Sequence, residues 1–161
     1  MPRILPTIVV IFAFSYAFAD DDPKESKPDM FKVEQHLFAH AAHFDGKGQC
    51  QAVGKVALKS WWVRGFPAEI PHFETCTTIS SKTRKGEIDI DLAVVSKDGD
   101  RLLRVGGVLD LGIDGRASQA IDWDHLVVPA AGTYFMQIKI EGNEVARFAM
   151  QFKKRKAKKR K

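Results

Sequence analysis

The sequence lacks the short motifs that accompany the common enzyme chemistries. It contains no Gly-x-Ser-x-Gly motif, which presents a hydrolase nucleophile, and no glycine-rich loop of the kind that binds phosphate. Cysteine is scarce, and Cys50 and Cys76 lack the flanking residues that are typical of catalytic thiols. Because none of these patterns is present, we expect a protein that is not an enzyme and needs no cofactor.

The two cysteines permit one disulfide and no other pairing. An oxidising compartment would allow Cys50 and Cys76 to join, whereas two buried thiols would act as small apolar side chains. Both alternatives stay open, because a disulfide needs Cα atoms within about 7 Å of each other and the sequence does not give that distance.

Basic residues are not in excess in the body of the chain. Residues 29–152 contain 14 Lys and Arg against 16 Asp and Glu, a net charge of −2, although the whole chain carries +5. The positive charge therefore comes from the last nine residues. A groove on the body that follows a nucleic-acid backbone is not expected.

The first 19 residues are typical of a secretory signal. Arg3 precedes a largely apolar run over residues 4–19, and the Ala-Phe-Ala of residues 17–19 fits the small-x-small pattern of a cleavage site. A membrane anchor is the alternative, but this run is short for a span of about 20 residues. We expect cleavage after Ala19, a disordered acidic linker over 20–29 and no transmembrane segment afterwards. The protein would then be periplasmic, at the cell envelope or secreted.

The chain ends in KKRKAKKRK, residues 153–161, in which eight of the nine residues are basic. Charge repulsion and the lack of apolar side chains predict a disordered tail. Such a run attracts anionic lipid headgroups, nucleic acid or acidic polysaccharide, so we expect it to anchor the protein to an anionic surface. A nuclear localisation signal conflicts with export, and a solubilising terminus without a partner is the remaining alternative. The residues expected to bind polyanions are Lys153, Lys154, Arg155, Lys156, Lys158, Lys159, Arg160 and Lys161.

Between residues 30 and 152, apolar and polar residues alternate in the manner of strands. In GEIDIDLAVV, Ile88, Ile90 and Leu92 alternate with aspartates, and turn residues recur at intervals of about 8–12 residues. This pattern predicts an all-β domain over residues 30–152. We expect an antiparallel two-sheet β-sandwich, immunoglobulin-like or jelly-roll-like, with about seven or eight strands.

Turn-forming residues mark where strands are expected to end. Pro67 and Pro71, in GFPAEIP, are expected to stop any regular element. Glu141, Gly142 and Asn143 separate two strand-like runs and predict a hairpin near the end of the domain.

Trp61 and Trp62 are adjacent, so in a strand their side chains point to opposite faces. One of the two is therefore expected outside or at a rim, where tryptophan is more often a contact residue. The partner, whether protein or glycan, is not identified by the sequence.

Three histidines, His36, His40 and His43, follow one another at intervals of four and three residues. In a helix they would share one face and could bind zinc together with a water molecule. In a strand His36 and His40 share a face, and His43 points the other way. Because the surrounding pattern is that of strands, we expect no metal site here. His36 and His40 stay weak candidates, with a partner such as His72 or His125.

Four aspartates, Asp110, Asp114, Asp122 and Asp124, are expected to cluster near a loop. Paired carboxylates can catalyse hydrolysis or bind calcium. However, Asp-Gly is a turn sequence, and aspartates that alternate along a strand are typical of a solvated face. We therefore assign no site to them.

Several short motifs occur in an order that resembles a known family. They are Phe66-Pro67-Ala68, Asp98-Gly99 and the segment 126–142, which contains LVVP, GTY and IEG. Their order over residues 31–152 is similar to that of an uncharacterised bacterial family known only as a domain of unknown function. The resemblance implies a compact β-sandwich, and it implies neither an activity nor catalytic residues.

These features predict an exported, non-catalytic β-sandwich that acts as a binding or scaffold module at the cell envelope, with a polyanion-binding tail. The alternative is a small metal-dependent or carbohydrate-active enzyme that uses His36, His40 and nearby carboxylates.

Overall fold

The computed structural model of the chain describes residues 30–53 and 58–156. These residues form mainly strands and turns, and none of them is in an α-helix. The strands in chain order are β1 (Phe31–Ala39), β2 (Ala42–Phe44), β3 (Cys50–Ala52), β4 (Ser60–Val63), β5 (Ala68–Ser81), β6 (Gly86–Val95), β7 (Arg101–Leu111), β8 (Arg116–Val128), β9 (Gly132–Ile140) and β10 (Asn143–Lys154). The all-β expectation is confirmed, and residues 30–53 and 58–156 contain ten strands, compared with the seven or eight expected.

The strands form three sheets. The largest has the order β4-β10-β9-β6-β7, a second has the order β1-β5-β8, and β2 pairs with β3 alone. Neighbouring strands are antiparallel, except that β10 and β4 run parallel. Three of the ten strands are short: β2 and β3 have three residues each, and β4 has four. Such short pieces give a sequence pattern too little length to reveal them.

Side chains of both larger sheets belong to one hydrophobic cluster. Strand β6 shows how the sequence builds it, since Ile88, Ile90 and Leu92 are buried while Asp89 is exposed. The three-stranded sheet contributes Phe38, Ile70, Phe73, Ile79, Trp123, Leu126 and Val128. The other contributors are Trp61, Ile88, Ile90, Leu92, Val94, Leu111, Tyr134, Met136, Ile138, Ile140, Met150 and Phe152. Burial of each large apolar side chain stabilises the fold by about 1.5–3 kcal/mol.

The expected hairpin near the end of the domain is confirmed. Glu141 and Gly142 form the turn between β9 and β10, and both have positive φ, 50° and 79°. Two residues of positive φ match the right-handed twist of the flanking strands, which explains why glycine occupies the second position.

Pro71 does not stop a strand, contrary to the expectation. It lies inside β5, and the ladder continues on both sides, since Ile70 pairs with Leu126 and His72 with Asp124. By that count His125 lies opposite Pro71, and it adopts a positive φ of 56°. On each strand two successive residues are exposed here, Pro71 and His72 on β5 and Asp124 and His125 on β8. The proline is tolerated because both strands leave regular geometry together.

The small sheet of β2 and β3 is joined to the outer side of the three-stranded sheet. Cys50 forms a disulfide with Cys76, and their Cα atoms are 5.6 Å apart. The Gln35 side chain donates to the Cys50 carbonyl at 2.7 Å and accepts from the Cys50 N–H at 3.1 Å. Ser118 Oγ donates to the Gly48 carbonyl at 3.2 Å. The short strands are therefore held by one covalent bond and by neighbours on β1 and β8.

Strand β10 runs two residues beyond Phe152, the expected end of the domain. Lys153 pairs with Trp62 and Lys154 with Val63 in the parallel ladder, and the Arg155 N–H donates to the Val63 carbonyl at 2.8 Å. The expectation of disorder from Lys153 onward is therefore wrong for the first two lysines, because β4 supplies backbone partners.

The expected signal over residues 1–19, the linker over 20–29 and residues 157–161 of the tail lie outside the described residues. Within the part of the chain that the structure describes, there is no helix long and apolar enough to cross a membrane.

Candidate functional site

Two cross-strand pairs place four ionisable side chains next to one another on the outside of the three-stranded sheet. His72 of β5 pairs with Asp124 of β8, and Glu74 pairs with Asp122. Between them Phe73 pairs with Trp123, and both rings point into the core. Because side chains alternate along a strand, burying the aromatic pair forces the four polar side chains outward. We call these four residues, His72, Glu74, Asp122 and Asp124, the carboxylate cluster.

Hydrogen bonds orient the carboxylate cluster. His72 Nδ1 lies 3.0 Å from Asp124 Oδ1, and His72 Nε2 lies 3.5 Å from Glu74 Oε1. The other carboxylate oxygen of Glu74 accepts from the Ala42 N–H at 2.5 Å. One ligand atom each from His72, Glu74 and Asp122 lie within 4.8 Å of one another. The imidazole therefore stands between two carboxylates, of which Glu74 is also held by the backbone N–H of Ala42.

The hydrogen bond to Asp124 raises the pKa of His72 above its ordinary value, since a neighbouring carboxylate favours the imidazolium. Glu74 acts in the same direction. Among the described residues, no Lys or Arg forms a salt bridge with Glu74, Asp122 or Asp124. The cluster is therefore a local concentration of negative charge.

A second charged surface lies where β10 ends beside β4. Lys153 Nζ stands 5.4 Å from the centroid of the Trp62 ring, and Trp62 is 52% exposed. A cation over an aromatic ring at this distance is an attractive arrangement. We call Trp62, Lys153 and Lys154 the basic strand end.

An open groove of about 470 Å³ adjoins the basic strand end. It lies where β9 begins and β10 ends, between two neighbouring strands of the large sheet. The lining residues are Ala131, Gly132, Thr133, Gln151, Phe152, Lys153 and Lys154. Its charged side chains are both lysines, so the groove suits an anionic ligand.

The two tryptophans of β4 face opposite ways, as expected. Trp61 is 6% exposed and stacks on Phe152 with ring centroids 5.1 Å apart, while Trp62 is exposed. Of the two candidate contact residues, Trp61 is therefore excluded by burial, and Trp62 stays a candidate.

The three histidines of the first strand region do not share a site. His36 faces inward, stacks on Phe148 with ring centroids 4.3 Å apart, and lies 2.7 Å from Thr77 Oγ1 through Nδ1. Burial lowers the pKa of His36 to about 4. His40 is exposed and follows the end of β1, and His43 is exposed on β2.

His36 lies within strand β1 and packs beside the rings of Phe38 and Phe148. The expectation that His36 and His40 share one strand face is wrong, because β1 ends at Ala39. Among the described residues, the three potential metal ligands that do converge are His72, Glu74 and Asp122. The weak candidates His36 and His40 are not among them.

The expected grouping of four aspartates near one loop is also wrong. Asp122 and Asp124 lie within β8, Asp110 lies on β7 and Asp114 lies in the turn between these strands. The true neighbours of Asp122 and Asp124 are about 50 residues earlier in the chain, on β5. The sequence signal was the pair of patterns His-x-Glu and Asp-x-Asp, each with an aromatic residue in the middle.

Residues 34–153 match DUF6941, a family of unknown function. This chain belongs to that family. The match covers every strand from β2 to β9, the last six residues of β1 and all but the last residue of β10. The resemblance suggested by the short motifs is therefore confirmed as membership of an uncharacterised family. No curated protein matches the chain.

Three solved structures resemble this DUF6941 protein at low sequence identity. The alkylpurine DNA glycosylase AlkC of Pseudomonas fluorescens, bound to DNA, has a TM-score of 0.47 at 9% identity, over 78% of this chain and 31% of that chain. An immunoglobulin-like protein of Pseudomonas aeruginosa has a TM-score of 0.39 at 13% identity, over 76% and 96% of the two chains. A beta-glucuronidase of Bifidobacterium dentium has a TM-score of 0.39 at 10% identity, over 78% and 18%. This chain spans less than a third of the first protein, and these likenesses carry no functional argument.

Proposed function

We propose that this DUF6941 protein is an exported, non-catalytic binding or scaffold protein of the cell envelope that contacts a polyanion through its basic C-terminal end. The observation that carries the proposal is the basic strand end, in which Lys153 and Lys154 are held in a strand beside the exposed Trp62. Fixed lysines bind anions at a smaller entropic cost than lysines on a disordered segment.

The basic strand end continues directly into the rest of the basic run. Arg155 and Lys156 follow the last strand residue, and four more basic residues lie in 157–161. Each basic residue near an anionic surface contributes about 1 kcal/mol. The structured lysines would position the polyanion, and the residues after them would add charge that salt screens.

The expected occupant is an acidic polymer of the envelope or of the extracellular space. Phosphate or sulfate groups would lie against Lys153 and Lys154 along the groove, and sugar rings could stack on the exposed part of Trp62. Binding of this kind falls steeply with salt, because the polymer releases its counterions when the lysines replace them.

Export is supported by two features of the chain. Residues 1–19 have the composition of a cleavable signal. The disulfide between Cys50 and Cys76 is of the kind that persists in oxidising compartments.

The architecture we infer is a β-sandwich in which the three-stranded and five-stranded sheets are two layers. One hydrophobic cluster drawn from both sheets supports it, as does the stacking of His36 of β1 on Phe148 of β10. Layers of this immunoglobulin-like or jelly-roll-like kind leave the outer faces free for binding.

Heparin chromatography of the purified full-length protein tests the function. In one variant Lys153 and Lys154 are replaced by Gln, and in a second the basic residues of 155–161 are replaced. The matched control replaces Lys82 and Lys85 by Gln, two exposed lysines in the turn between β5 and β6. We expect elution at lower salt for the first two proteins and a smaller change for the control. Equal elution of the Lys153/Lys154 variant and the control would overturn the proposal.

A further inference from the structure

We propose that His72, Glu74 and Asp122 bind a divalent transition metal ion, with zinc as the expected ion, and that Asp124 positions His72 for this role. One imidazole and two carboxylates are ligands that zinc takes readily, with water completing the coordination. The site is separate from the basic strand end, since it lies on the other large sheet.

Two of the three ligands, His72 and Glu74, each use one polar atom in a hydrogen bond outside the pair and direct the other atom toward each other. His72 uses Nδ1 for Asp124, at 3.0 Å, which leaves Nε2 directed toward Glu74. Metal-binding histidines commonly donate their second ring N–H to a carboxylate, which fixes the ring orientation. Glu74 uses one oxygen for the Ala42 N–H, at 2.5 Å, and keeps the oxygen that faces His72. His72 Nε2 and Glu74 Oε1 therefore face each other, and one ligand atom from each of His72, Glu74 and Asp122 lies within 4.8 Å of the others.

The distances leave room for one ion. Zinc ligands about 2.0–2.1 Å from the metal in a tetrahedral arrangement lie about 3.4 Å from one another. His72 Nε2 and Glu74 Oε1 are 3.5 Å apart, so this pair already has the required separation. A carboxylate oxygen of Asp122 lies within 4.8 Å of a ligand atom of each of the other two residues. Because Asp122 is exposed, we expect a change of its side-chain rotamer to bring it to the ion without moving the backbone.

The backbone that carries the ligands is rigid. Phe73 and Trp123 alternate with the ligands, are 0% and 1% exposed, and stack with an angle of 5° between their rings. The Trp123 indole N–H donates to Thr75 Oγ1 at 2.8 Å inside the core. A site built on paired strands with buried neighbours holds its ligands more accurately than a loop does.

The charge around the cluster favours a cation. Four other carboxylates of the described residues form salt bridges with arginine: Glu34, Asp91, Glu141 and Glu144. Glu74 and Asp124 have only His72 as an ion-pair partner, and no salt bridge of the described residues includes Asp122. Three carboxylates around one imidazole keep a net negative charge even when the imidazole is protonated, and a divalent ion would neutralise it.

The test is calorimetric titration of the purified full-length protein with Zn²⁺, together with visible absorption after addition of Co²⁺. We expect one strong site, and a Co²⁺ spectrum that reports nitrogen and oxygen ligands. His72→Gln and Asp122→Asn should each weaken binding at least tenfold, and Asp124→Asn should weaken it about 10- to 100-fold through the orientation of His72. Asp110→Asn, which alters an exposed strand carboxylate on β7, is the matched control and should bind as the parent does.

Two results would overturn the proposal. One is the absence of a strong Zn²⁺ site in the parent protein. In that case the cluster would be only an ion pair between protonated His72 and its carboxylate neighbours. The other is equal affinity in the parent, Asp122→Asn and Asp110→Asn, which would place the ion elsewhere in the chain. Asp122 is exposed, so Asp122→Asn should fold. The test therefore stays decisive even if His72→Gln does not fold. Neither result affects the heparin experiment, because no residue is shared between the two sites.

Discussion

The carboxylate cluster and the basic strand end are both charged surfaces at the edge of an apolar core, but they are assembled differently. The cluster takes two residues from β5 and two from β8, which come together only through the register of these strands. The basic strand end takes its lysines from consecutive positions of β10, where β10 emerges beside β4. The first surface therefore depends on core packing and pairing, whereas the second depends mainly on local composition. Four changes follow, from the largest expected effect on stability to the smallest: three compare the two surfaces, and one tests the core between the sheets.

Trp123→Ala should have the largest effect. The change removes a fully buried ring that stacks on Phe73 and leaves the Thr75 hydroxyl without its donor. We expect the free energy of unfolding to fall by about 3–5 kcal/mol in urea titrations. Metal affinity should fall with it, because Asp122 and Asp124 flank the ring, while the salt of elution from heparin should not change. A loss of stability below about 1 kcal/mol would contradict the role assigned to this ring.

Removal of the disulfide should affect the carboxylate cluster and leave the basic strand end unchanged. Replacing Cys50 and Cys76 by Ala opens a link between positions 26 residues apart, which should lower the free energy of unfolding by about 3 kcal/mol. The small sheet would lose its covalent attachment, and the Ala42 N–H that holds Glu74 belongs to β2. Isothermal titration should therefore show weaker zinc binding, with heparin elution unchanged. Unchanged zinc affinity would show that the small sheet does not position Glu74.

The inward-facing His36 should make stability depend on pH. Burial lowers the pKa of His36 from 6.5 to about 4, so between these values the unfolded chain binds a proton that the folded chain does not. The contribution of neutral His36 to the free energy of unfolding is complete above about pH 6.5. It is lost as the pH falls toward 4, by up to about 3 kcal/mol.

Urea unfolding of the parent and of His36→Phe at several pH values between about 4 and 7 checks this prediction. The variant should show a flatter dependence on pH than the parent. His72 and His125 act in the opposite direction, since their carboxylate partners raise the pKa of each, and their stabilisation is lost as the pH rises. Both are retained in the variant, so the difference between the two curves isolates His36. Parallel curves would show that His36 gains a proton in the folded protein as easily as in the unfolded chain.

Trp62→Ala should have the smallest effect on stability, within about 0.5 kcal/mol, because the ring is half exposed. It removes the aromatic face beneath Lys153 Nζ, so retention on heparin should decrease, but less than in the Lys153/Lys154 variant. Differential scanning calorimetry and the heparin column give the two readouts. A large drop in melting temperature would mean that Trp62 belongs to the core.

Much of the fold could be predicted from the sequence because the controlling signals are local. The alternation of Ile88, Ile90 and Leu92 with aspartates marked β6, and adjacent Trp61 and Trp62 had to diverge in any strand. The turn at Gly142 was visible because glycine readily adopts positive φ. In each case neighbouring residues carry the information.

The candidate metal site could not be predicted, because its residues come together through contacts between distant parts of the chain. Which residue of β5 lies opposite which residue of β8 is decided by packing across a gap of about 50 residues in the chain. The same holds for the distance between Cys50 and Cys76, and for the parallel pairing that carries β10 to Lys154. The continuation of β5 through Pro71 was not predicted, because it depends on the partner strand, which adopts a positive φ at His125.

The departure of β5 and β8 from regular geometry at Pro71 and His125 also bears on how this sheet can change in length. Both strands carry one surplus residue at the same level, so deleting the two together would shorten the ladder and leave every side chain on its present side. Deleting either one alone would keep Phe73 and Trp123 facing the core but would leave one extra residue on the other strand, a one-sided bulge in the ladder. A change of length in this sheet should therefore preserve the regular pairing only when it occurs on both strands together.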